Sequence, residues 1–234
     1  MSRRQHFAFR TEVQAIFQDP YGTYNPFYKV DNVFWTVIRK FKLANSNAEG
    51  QRFMENALEV VGLRPSEILG KYPHQLSGGE RQRIMIARAF LLKPRLIVAD
   101  EPVSMVDASL QVRILAIFQQ FKTEFNISFL YITHDLSTAY QISDNIFVLY
   151  RGSVMERGGI DAVIRNPQHP YTQLLINSVP VPDPDIRWEG RLKSSIAGQR
   201  QVESAGGCKF ASRCPHVMQK CLENVPPEYE ISRD

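Results

Sequence analysis

The stretch from Leu76 to Asp107 constrains the fold more than any other part of this 234-residue chain. It reads LSGGERQRIMIARAFLLKPRLIVADEPVSMVD. Ser77 followed three residues later by Glu80 is a capping box, which marks the start of a helix. Gly78 and Gly79 leave backbone amides uncovered at the positive end of that helix, where a phosphate binds well. For this four-residue pattern alone, a helix cap without a ligand is the favoured alternative.

An apolar strand that ends in two carboxylates follows the predicted helix. Residues 96–99 form a continuous apolar run, which is typical of a strand buried on both faces of a parallel sheet. Asp100 and Glu101 stand at the carboxyl end of this strand, where open α/β sheets bind ligands. One carboxylate can hold a hydrated Mg²⁺ while the other orients or deprotonates a water. The competing interpretation is a solvated acidic turn.

Taken together, the two segments resemble the ABC-type ATPases. In that family LSGGE is the signature motif, LIVADE is Walker B and SMVD is the D-loop, which usually reads Ser-Ala-Leu-Asp. The resemblance implies that Asp100 binds Mg²⁺ and that Glu101 acts on the attacking water. It also implies contacts to ATP held by the opposite subunit, made by Ser77, Gly78, Gly79, Glu80 and Asp107.

Two further residues gain a role from the same resemblance. Gln18 follows the predicted strand 13–17 and stands in IFQDPYGTYNP, which matches the Q-loop. In the family this Gln contacts Mg²⁺ and the attacking water, and its loop touches the transmembrane partner. His134 follows the predicted strand 127–132 and matches the H-loop, in which the His contacts the γ-phosphate. Outside this register, neither a Gln at a turn nor a His after a strand would carry meaning.

The chain between the Gln18 loop and the signature motif is predicted to be helical. Residues 30–41 and 49–61 read as helices, and Gly62 fits a C-terminal cap of the second. These helices would build a helical subdomain over about residues 28–90. In the signature helix, Ile84, Ala87 and Phe90 form a predicted inward stripe. Its arginines are interpreted by default as a solvated face, although in the resembled family they add positive potential near the phosphates: Arg81, Arg83 and Arg88.

We therefore expect an α/β fold, an incomplete P-loop NTPase-type (ABC) nucleotide-binding domain with a mostly parallel sheet flanked by helices. It should occupy residues 1–160 and end in a hairpin formed by residues 146–150 and 153–157. Residues 161–234 should form an irregular extension, because five prolines fall between positions 167 and 184. Within it, residues 166–172 (NPQHPYT) resemble the C-terminal extension of di- and oligopeptide importer ATPases. A proline-rich linker is the alternative.

The three cysteines all lie in this extension. Cys208, Cys214 and Cys221 are soft ligands whose spacing suits a metal ion or an Fe–S cluster. The set is one ligand short of a Cys₄ site, and His216 could complete a Cys₃His zinc site. Free, buried thiols in a small module are the alternative.

The family's phosphate-binding loop, G-x-x-x-x-G-K-[ST], does not occur in the sequence. The one Gly-Lys pair is Gly70-Lys71, with Pro65 at the position of the first Gly and Tyr72 at the position of the hydroxyl. The resemblance thus starts in mid-domain. We expect unpaired edges in the sheet and weak ATP binding by the chain alone, while the contribution of residues 77–80 to a partner's ATP survives.

The resemblance implies an ATP-hydrolysing subunit that energises di- or oligopeptide import, with ATP and Mg²⁺ as cofactors. Its expected partners are a second ABC ATPase subunit in a head-to-tail dimer, transmembrane permease subunits at the Gln18 loop and, indirectly, an extracytoplasmic peptide-binding protein. Two alternatives stay open. One is a non-catalytic subunit that donates LSGGE in trans. The other is a non-transport ABC ATPase of DNA repair or translation.

Composition limits where the chain acts. The net charge of +4 is mild and the sequence has no strongly basic arm, so we expect no nucleic-acid partner. No apolar run reaches the ~18 residues that span a bilayer, and the first ten residues do not form a secretory signal. We expect a cytoplasmic protein that is peripheral on the inner face of the cell membrane.

Overall fold

The computed structural model describes residues 1–179 and 206–231. They belong to two compact units, the first of which ends at Ile142 while the second begins at Ser143. Among the described helices, none has the length and apolar character needed to cross a membrane.

The first unit comprises, in chain order, α1 (Arg3–Glu12), β1 (Val13–Ile16), α2 (Asp31–Phe41), α3 (Asn47–Val60), α4 (Pro65–Ile68), α5 (Gly78–Phe90), β2 (Leu96–Asp100), α6 (Ala108–Thr123), β3 (Ser128–Ile132) and α7 (Leu136–Ile142). The second comprises β4 (Asn145–Tyr150), β5 (Ser153–Gly159), α8 (Ile160–Arg165), α9 (Pro170–Asn177) and α10 (Gln219–Glu223).

A parallel sheet with the strand order β1-β2-β3 forms the centre of the first unit. The register places Ile16 beside Ala99 and Ala99 beside Tyr131, so that the three strands end at nearly the same level. Helices of the same unit pack against this sheet, and their buried side chains join those of the strands in one apolar core. The predicted fold class, a parallel sheet flanked by helices, is confirmed.

The prediction that β2 is buried on both faces is wrong. Ile97 and Ala99 point into the core and are fully buried, whereas Val98, between them, is only half-buried. The same alternation continues in β3, where Leu130 and Ile132 are 51% and 45% exposed. The reason is that, within the described residues, the packed helices lie against one face of the sheet, the face that carries Ile97 and Ala99.

The helical region between β1 and β2 has the elements that the sequence predicts. Helices α2 and α3 begin and end within two residues of the predicted bounds. Gly62 adopts a left-handed φ of 69° after α3. Its N–H donates to the Glu59 carbonyl at 2.9 Å, and the Leu63 N–H donates to the Leu58 carbonyl at 2.9 Å. These bonds satisfy carbonyls at the helix end, as a C-terminal cap should.

Helix α5 has the predicted inward stripe but not the predicted solvated face of arginines. Ile84, Ala87 and Phe90 are buried, as predicted. Each of the three arginines, however, donates to a backbone carbonyl: Arg81 to Leu76 at 2.9 Å, Arg83 to Gly62 at 2.9 Å and Arg88 to Ala15 at 2.6 Å. Burial lowers the pKa of the Arg88 guanidinium. The arginines therefore fasten α5 to the chain around it.

In the second unit, β4 and β5 pair antiparallel as the predicted hairpin. Arg151 and Gly152 both have positive φ, 48° and 75°, as a two-residue type I′ turn requires. The NPQHPYT segment then starts α9. The Glu156 carboxylate accepts from the backbone N–H groups of Gln168 at 2.8 Å and His169 at 2.9 Å. The prolines at positions 180, 182 and 184 lie outside the described residues.

The left-handed cap after α3 gives a test of this part of the fold. We expect Gly62→Ala to lower the free energy of unfolding by about 1 kcal/mol, because a Cβ atom disfavours this φ, although it would be only in ordinary contact with the Arg83 side chain at 3.8 Å. Glu59→Ala, on the exposed side of the same helix, is the control and should stay within about 0.5 kcal/mol of the parent. Chemical denaturation measures both. Equal effects of the two substitutions would contradict the assignment of the cap.

Candidate functional site

The carboxyl ends of the three parallel strands bring together Gln18, Glu101 and His134. The Gln18 Nε2 atom donates to Glu101 Oε2 at 2.7 Å, and the His134 Nδ1 atom lies 3.0 Å from Glu101 Oε1. The Glu101 side chain is 25% exposed, while that of His134 is 75% exposed. Three residues that the sequence predicted separately thus form one cluster at the edge of the sheet, with the carboxylate in its centre.

The backbone of Glu101 adopts an unusual conformation that aims this carboxylate. Its φ is 42°, in the left-handed region that residues other than glycine seldom occupy. The Glu101 N–H donates to the Ile132 carbonyl at 2.9 Å, and the Glu101 carbonyl accepts from the Ser104 N–H at 3.2 Å. Such strain persists only where the surrounding structure holds it, and it is concentrated at functional sites. Sequence patterns contain no signal for it.

The arrangement fits an oxygen-coordinated cation and an activated water. Asp100 is exposed at the end of β2, next to Glu101. Mg²⁺ is usually bound through one or two protein carboxylates, with waters and substrate phosphates completing the octahedron. Asp100 therefore supplies a suitable ligand without a larger protein cage. Glu101, oriented by an amide and an imidazole, is placed as a general base would be.

The signature segment forms the predicted capping box at the start of α5. The Ser77 hydroxyl accepts from the Glu80 N–H at 3.2 Å, and the Glu80 carboxylate accepts from the Ser77 N–H at 2.7 Å. Burial opposes ionisation of Glu80. The hydrogen bonds from Ser77, together with the positive charges of Lys71 and Arg83, outweigh it and lower the pKa of Glu80. The helix start is thus an ordered structure, with Ser77 exposed.

The two glycines of this segment are needed for a reason that sequence reasoning missed. A Cβ atom on Gly79 would lie 1.7 Å from the Leu110 side chain, and one on Gly78 would lie 2.8 Å from the Tyr21 hydroxyl. Gly79 is buried beneath Leu110. The glycines therefore allow α6 and the Gln18 loop to approach α5 closely, in addition to leaving the helix start without side chains.

The loop after Gln18 is attached to α5 by two tyrosines. The Arg81 guanidinium lies 4.0 Å from the centre of the Tyr21 ring, a cation–π distance. The Tyr24 hydroxyl donates to the Arg81 carbonyl at 2.7 Å, and burial raises the pKa of Tyr24. No motif in the sequence predicted a role for these tyrosines.

Asp107 is the N-cap of α6. Its carboxylate accepts from the Ser109 hydroxyl at 2.6 Å and from the Leu110 N–H at 3.0 Å. These hydrogen bonds lower the pKa of Asp107. The side chain has a local structural role, and its predicted contact with a partner's ATP stays a prediction.

The predicted metal site at the cysteines is not supported. Within residues 1–179 and 206–231, no group of three or more His, Cys, Asp or Glu side chains is arranged to hold a metal ion. Cys208, Cys214 and Cys221 are half-buried and form no disulfide with one another, and His216 completes no metal site with them. Burial raises the pKa of the Cys214 thiol.

Comparison with known proteins identifies the family. Residues 1–104 match the model of the ABC transporter family, and residues 155–221 match that of the oligopeptide/dipeptide transporter C-terminal region. The chain is similar to the di/tripeptide transport ATP-binding protein DppF of Pseudomonas aeruginosa, with 35% identity over 96% of the chain and 69% of that protein. It belongs to the ATP-binding proteins of oligopeptide/dipeptide ABC transporters.

Other relatives support the same assignment of this ABC protein. The chain is 40% identical to YkfD of Bacillus subtilis, over 99% of the chain and 70% of the relative. It is 38% identical to the oligopeptide transport ATP-binding protein OppF of Escherichia coli, over 94% of the chain and 66% of the relative. The chain thus spans about two thirds of the length of these relatives.

Solved structures confirm the ABC fold. The cbiO1 protein of Clostridium perfringens, part of an ABC transporter complex, superposes with a TM-score of 0.61 at 25% identity, over 70% of this chain and 64% of that one. A dimeric ATP-binding cassette in a post-hydrolysis state, bound to ADP and Pi, superposes with a TM-score of 0.60 at 25% identity, over 68% of each chain. Membership of this ATPase family implies the use of ATP and Mg²⁺.

The lowered pKa of Glu80 predicts how pH affects the signature helix. Because the folded-state pKa lies below the ordinary value, the stabilisation by ionised Glu80 is complete above that ordinary value. It is lost as pH falls through the folded-state pKa. Relative to Glu80→Gln, the parent should be more stable by about 0.5 kcal/mol at neutral pH, the usual gain from a negative charge at a helix N-terminus. The difference should shrink as the pH falls below the ordinary glutamate pKa.

Denaturation curves of both proteins between neutral pH and pH 3 measure this difference. Glu59→Gln in the exposed last turn of α3 provides the control, since a negative charge there gains nothing from the helix dipole. A Glu80 difference that persists unchanged in acid would contradict the role of its ionised carboxylate.

Proposed function

We propose that the chain is an ATP-binding and ATP-hydrolysing subunit of an ABC importer of di- or oligopeptides, with Glu101 acting on the attacking water. The Glu101 carboxylate held between Gln18 and His134 is the observation that carries this proposal. The peptide substrate class is supported by the names of OppF and DppF and by the match of residues 155–221 to the oligopeptide/dipeptide model.

In this mechanism the side chains around Glu101 divide the work. Glu101 orients the water and accepts its proton, and the Gln18 amide fixes one carboxylate oxygen through its 2.7 Å hydrogen bond. Asp100, and Gln18 through its amide oxygen, would hold Mg²⁺, which neutralises charge on the phosphates when bound. Because an ionised carboxylate only accepts hydrogen bonds, His134 donates from Nδ1 to Glu101. In the protonated ring, Nε2 is a second donor that can face the γ-phosphate.

The signature segment acts on ATP held by a second ATPase subunit in a head-to-tail dimer. Ser77 is exposed at the N-terminus of α5, where free amides and the helix dipole favour a phosphate. The solved cassette that resembles this chain is itself dimeric and is bound to ADP and Pi. The residues that we assign to the surface facing the second subunit's ATP are Ser77, Gly78, Gly79, Glu80 and Asp107.

The loop after Gln18 is the proposed contact with transmembrane permease subunits. Two aromatic side chains in its second half are exposed, Phe27 at 86% and Tyr28 at 56%. Exposed apolar groups of this kind mark interaction surfaces when they cluster. Through this contact the chain would lie in the cytoplasm, peripheral on the inner face of the membrane, with a peptide-binding protein acting on the far side. The domain bounds stay predictions: residues 1–160, 161–234 and the helical subdomain at about 28–90.

A second candidate function is that of a half-site donor, a non-catalytic subunit that supplies its LSGGE segment to an ATP site on another subunit. The capping box of the signature segment is fully formed, and Ser77 is exposed. In this function the segment would complete the ATP site of an intact partner subunit. The match of residues 155–221 to the oligopeptide/dipeptide model argues against the remaining alternative, a DNA-repair or translation ATPase.

The proposal predicts separate effects on binding and hydrolysis. In an assembly of this chain with an intact ATPase subunit, Glu101→Gln should lower the hydrolysis by the site that contains Glu101 by about 10²- to 10⁴-fold. ATP binding should persist, because the amide keeps the size of the side chain and removes only the base. Steady-state hydrolysis and equilibrium binding of Mg-ATP measure the two effects, with Glu59→Gln as the control. Full hydrolysis by the Glu101 variant would refute the assigned role.

The half-site function makes a different prediction. The chain alone should bind Mg-ATP weakly, while the hydrolysis rate of the partner subunit should rise on mixing and should fall about tenfold or more with Ser77→Ala, as on removal of one phosphate-binding donor. Ser66→Ala, which removes an exposed hydroxyl in α4, outside the signature segment, is the control. This function would be ruled out if the isolated chain bound Mg-ATP tightly and if the partner subunit's hydrolysis rate were the same with Ser77→Ala as with the parent chain.

A further inference from the structure

The left-handed turn at Glu101 is fastened to the signature helix by one buried side chain. Glu101 is followed by Pro102, whose carbonyl accepts from the Gln82 Nε2 atom at 2.8 Å in a buried setting. Gln82 lies in the second turn of α5 and is 1% exposed. This hydrogen bond joins two segments that are 20 residues apart in sequence.

A buried amide at this position is costly unless it has a specific task. Burying an amide without hydrogen bonds destabilises a protein by roughly 1–3 kcal/mol in mutational data. The Gln82 Nε2 atom has its partner, but the Oε1 atom finds none among the described residues. An apolar side chain of similar size would carry no such cost at this buried position. The amide's described polar contact is with the Pro102 carbonyl.

The segment that follows Glu101 is anchored again a few residues later. Gln111 Nε2 donates to the Val103 carbonyl at 3.0 Å, and the Leu110 side chain fills the space above Gly79. The Ser104 N–H and hydroxyl both donate to the Glu101 carbonyl. Gln82 is thus the contact through which α5 reaches the residue directly after the strained position.

We propose that Gln82 is a positioning residue for Glu101. By holding the Pro102 carbonyl, Gln82 keeps the turn in the conformation that places the Glu101 carboxylate between Gln18 and His134. Because Gln82 and Ser77 belong to the same helix start, the contact also makes the signature segment and the carboxylate of one subunit move together. The consequence for hydrolysis rests on the function proposed above; the consequence for the turn does not.

Hydrogen exchange on the purified chain of residues 1–234 tests the effect on the turn. Gln82→Met keeps the volume and removes the donor, so the amides of Glu101 and Ser104 should exchange about tenfold faster than in the parent. Gln120→Met is the matched control, because the Gln120 amide makes an exposed hydrogen bond to Glu124. Unchanged exchange at Glu101 and Ser104 in a folded Gln82→Met protein would overturn the proposal.

Gln82→Glu supplies a second variant with a pH signature. A buried carboxylic acid has a raised pKa, and its protonated form can donate to the Pro102 carbonyl whereas its ionised form cannot. Protection of the Glu101 amide, compared with the parent at the same pH, should therefore approach the parent value in acid and fall as pH rises. A loss of protection that is the same at every pH would count against the hydrogen bond as the cause.

Hydrolysis by the assembly with an intact ATPase subunit completes the test. Gln82→Met should lower kcat about tenfold with little change in KM for ATP, and it should add nothing in a Glu101→Gln background, because both changes remove the same function. A normal kcat despite faster exchange would overturn the positioning role. If the parent assembly hydrolyses no ATP, the proposed function fails, and the exchange data alone decide whether Gln82 holds the turn.

Discussion

The parallel pairing of β1, β2 and β3 is the constraint on which the rest of the structure depends. Parallel strands in register end at one edge of the sheet, so the residues that follow them meet even when they are far apart in sequence. Gln18 and Glu101 are 83 residues apart, and Glu101 and His134 are 33 apart. Their hydrogen bonds exist because the backbone ladder brings the three strand ends to the same place.

Helix α5 turns this edge into a larger functional surface. Its first turn carries the signature segment, and its side chains contact the Gln18 loop through Arg81 and the turn after Glu101 through Gln82. Arg88 donates to the carbonyl of Ala15 in β1. One helix thus joins the segment proposed to contact a partner's nucleotide to the residues proposed to act on the subunit's own. The three arginines of α5 that were predicted to face solvent donate hydrogen bonds to backbone carbonyls instead.

The strained backbone at Glu101 and the half-covered sheet mark the limits of pattern reasoning. An apolar run predicted a strand buried on both faces, but the exposure of a strand depends on which elements pack against each face. In this structure Leu130 and Ile132 stay about half exposed. Likewise the cysteine spacing predicted a metal site, whereas in the part of the chain that the structure describes no group of His, Cys, Asp or Glu side chains is arranged to hold a metal ion. Spacing along the chain does not fix how side chains converge.

The sequence by itself determined the fold class, the helix starts and the identity of the Gln18, Glu101 and His134 cluster. These depend on local chemistry and on a resemblance carried by contiguous motifs. The capping box at Ser77 and the left-handed cap at Gly62 are signals of this local kind. Only the tertiary structure decided the positive φ of Glu101, the burial of Gln82 and the packing of Leu110 onto Gly79. The physical reason is that each depends on segments distant in sequence, whose approach is set by the packing of α5 and α6 with the sheet.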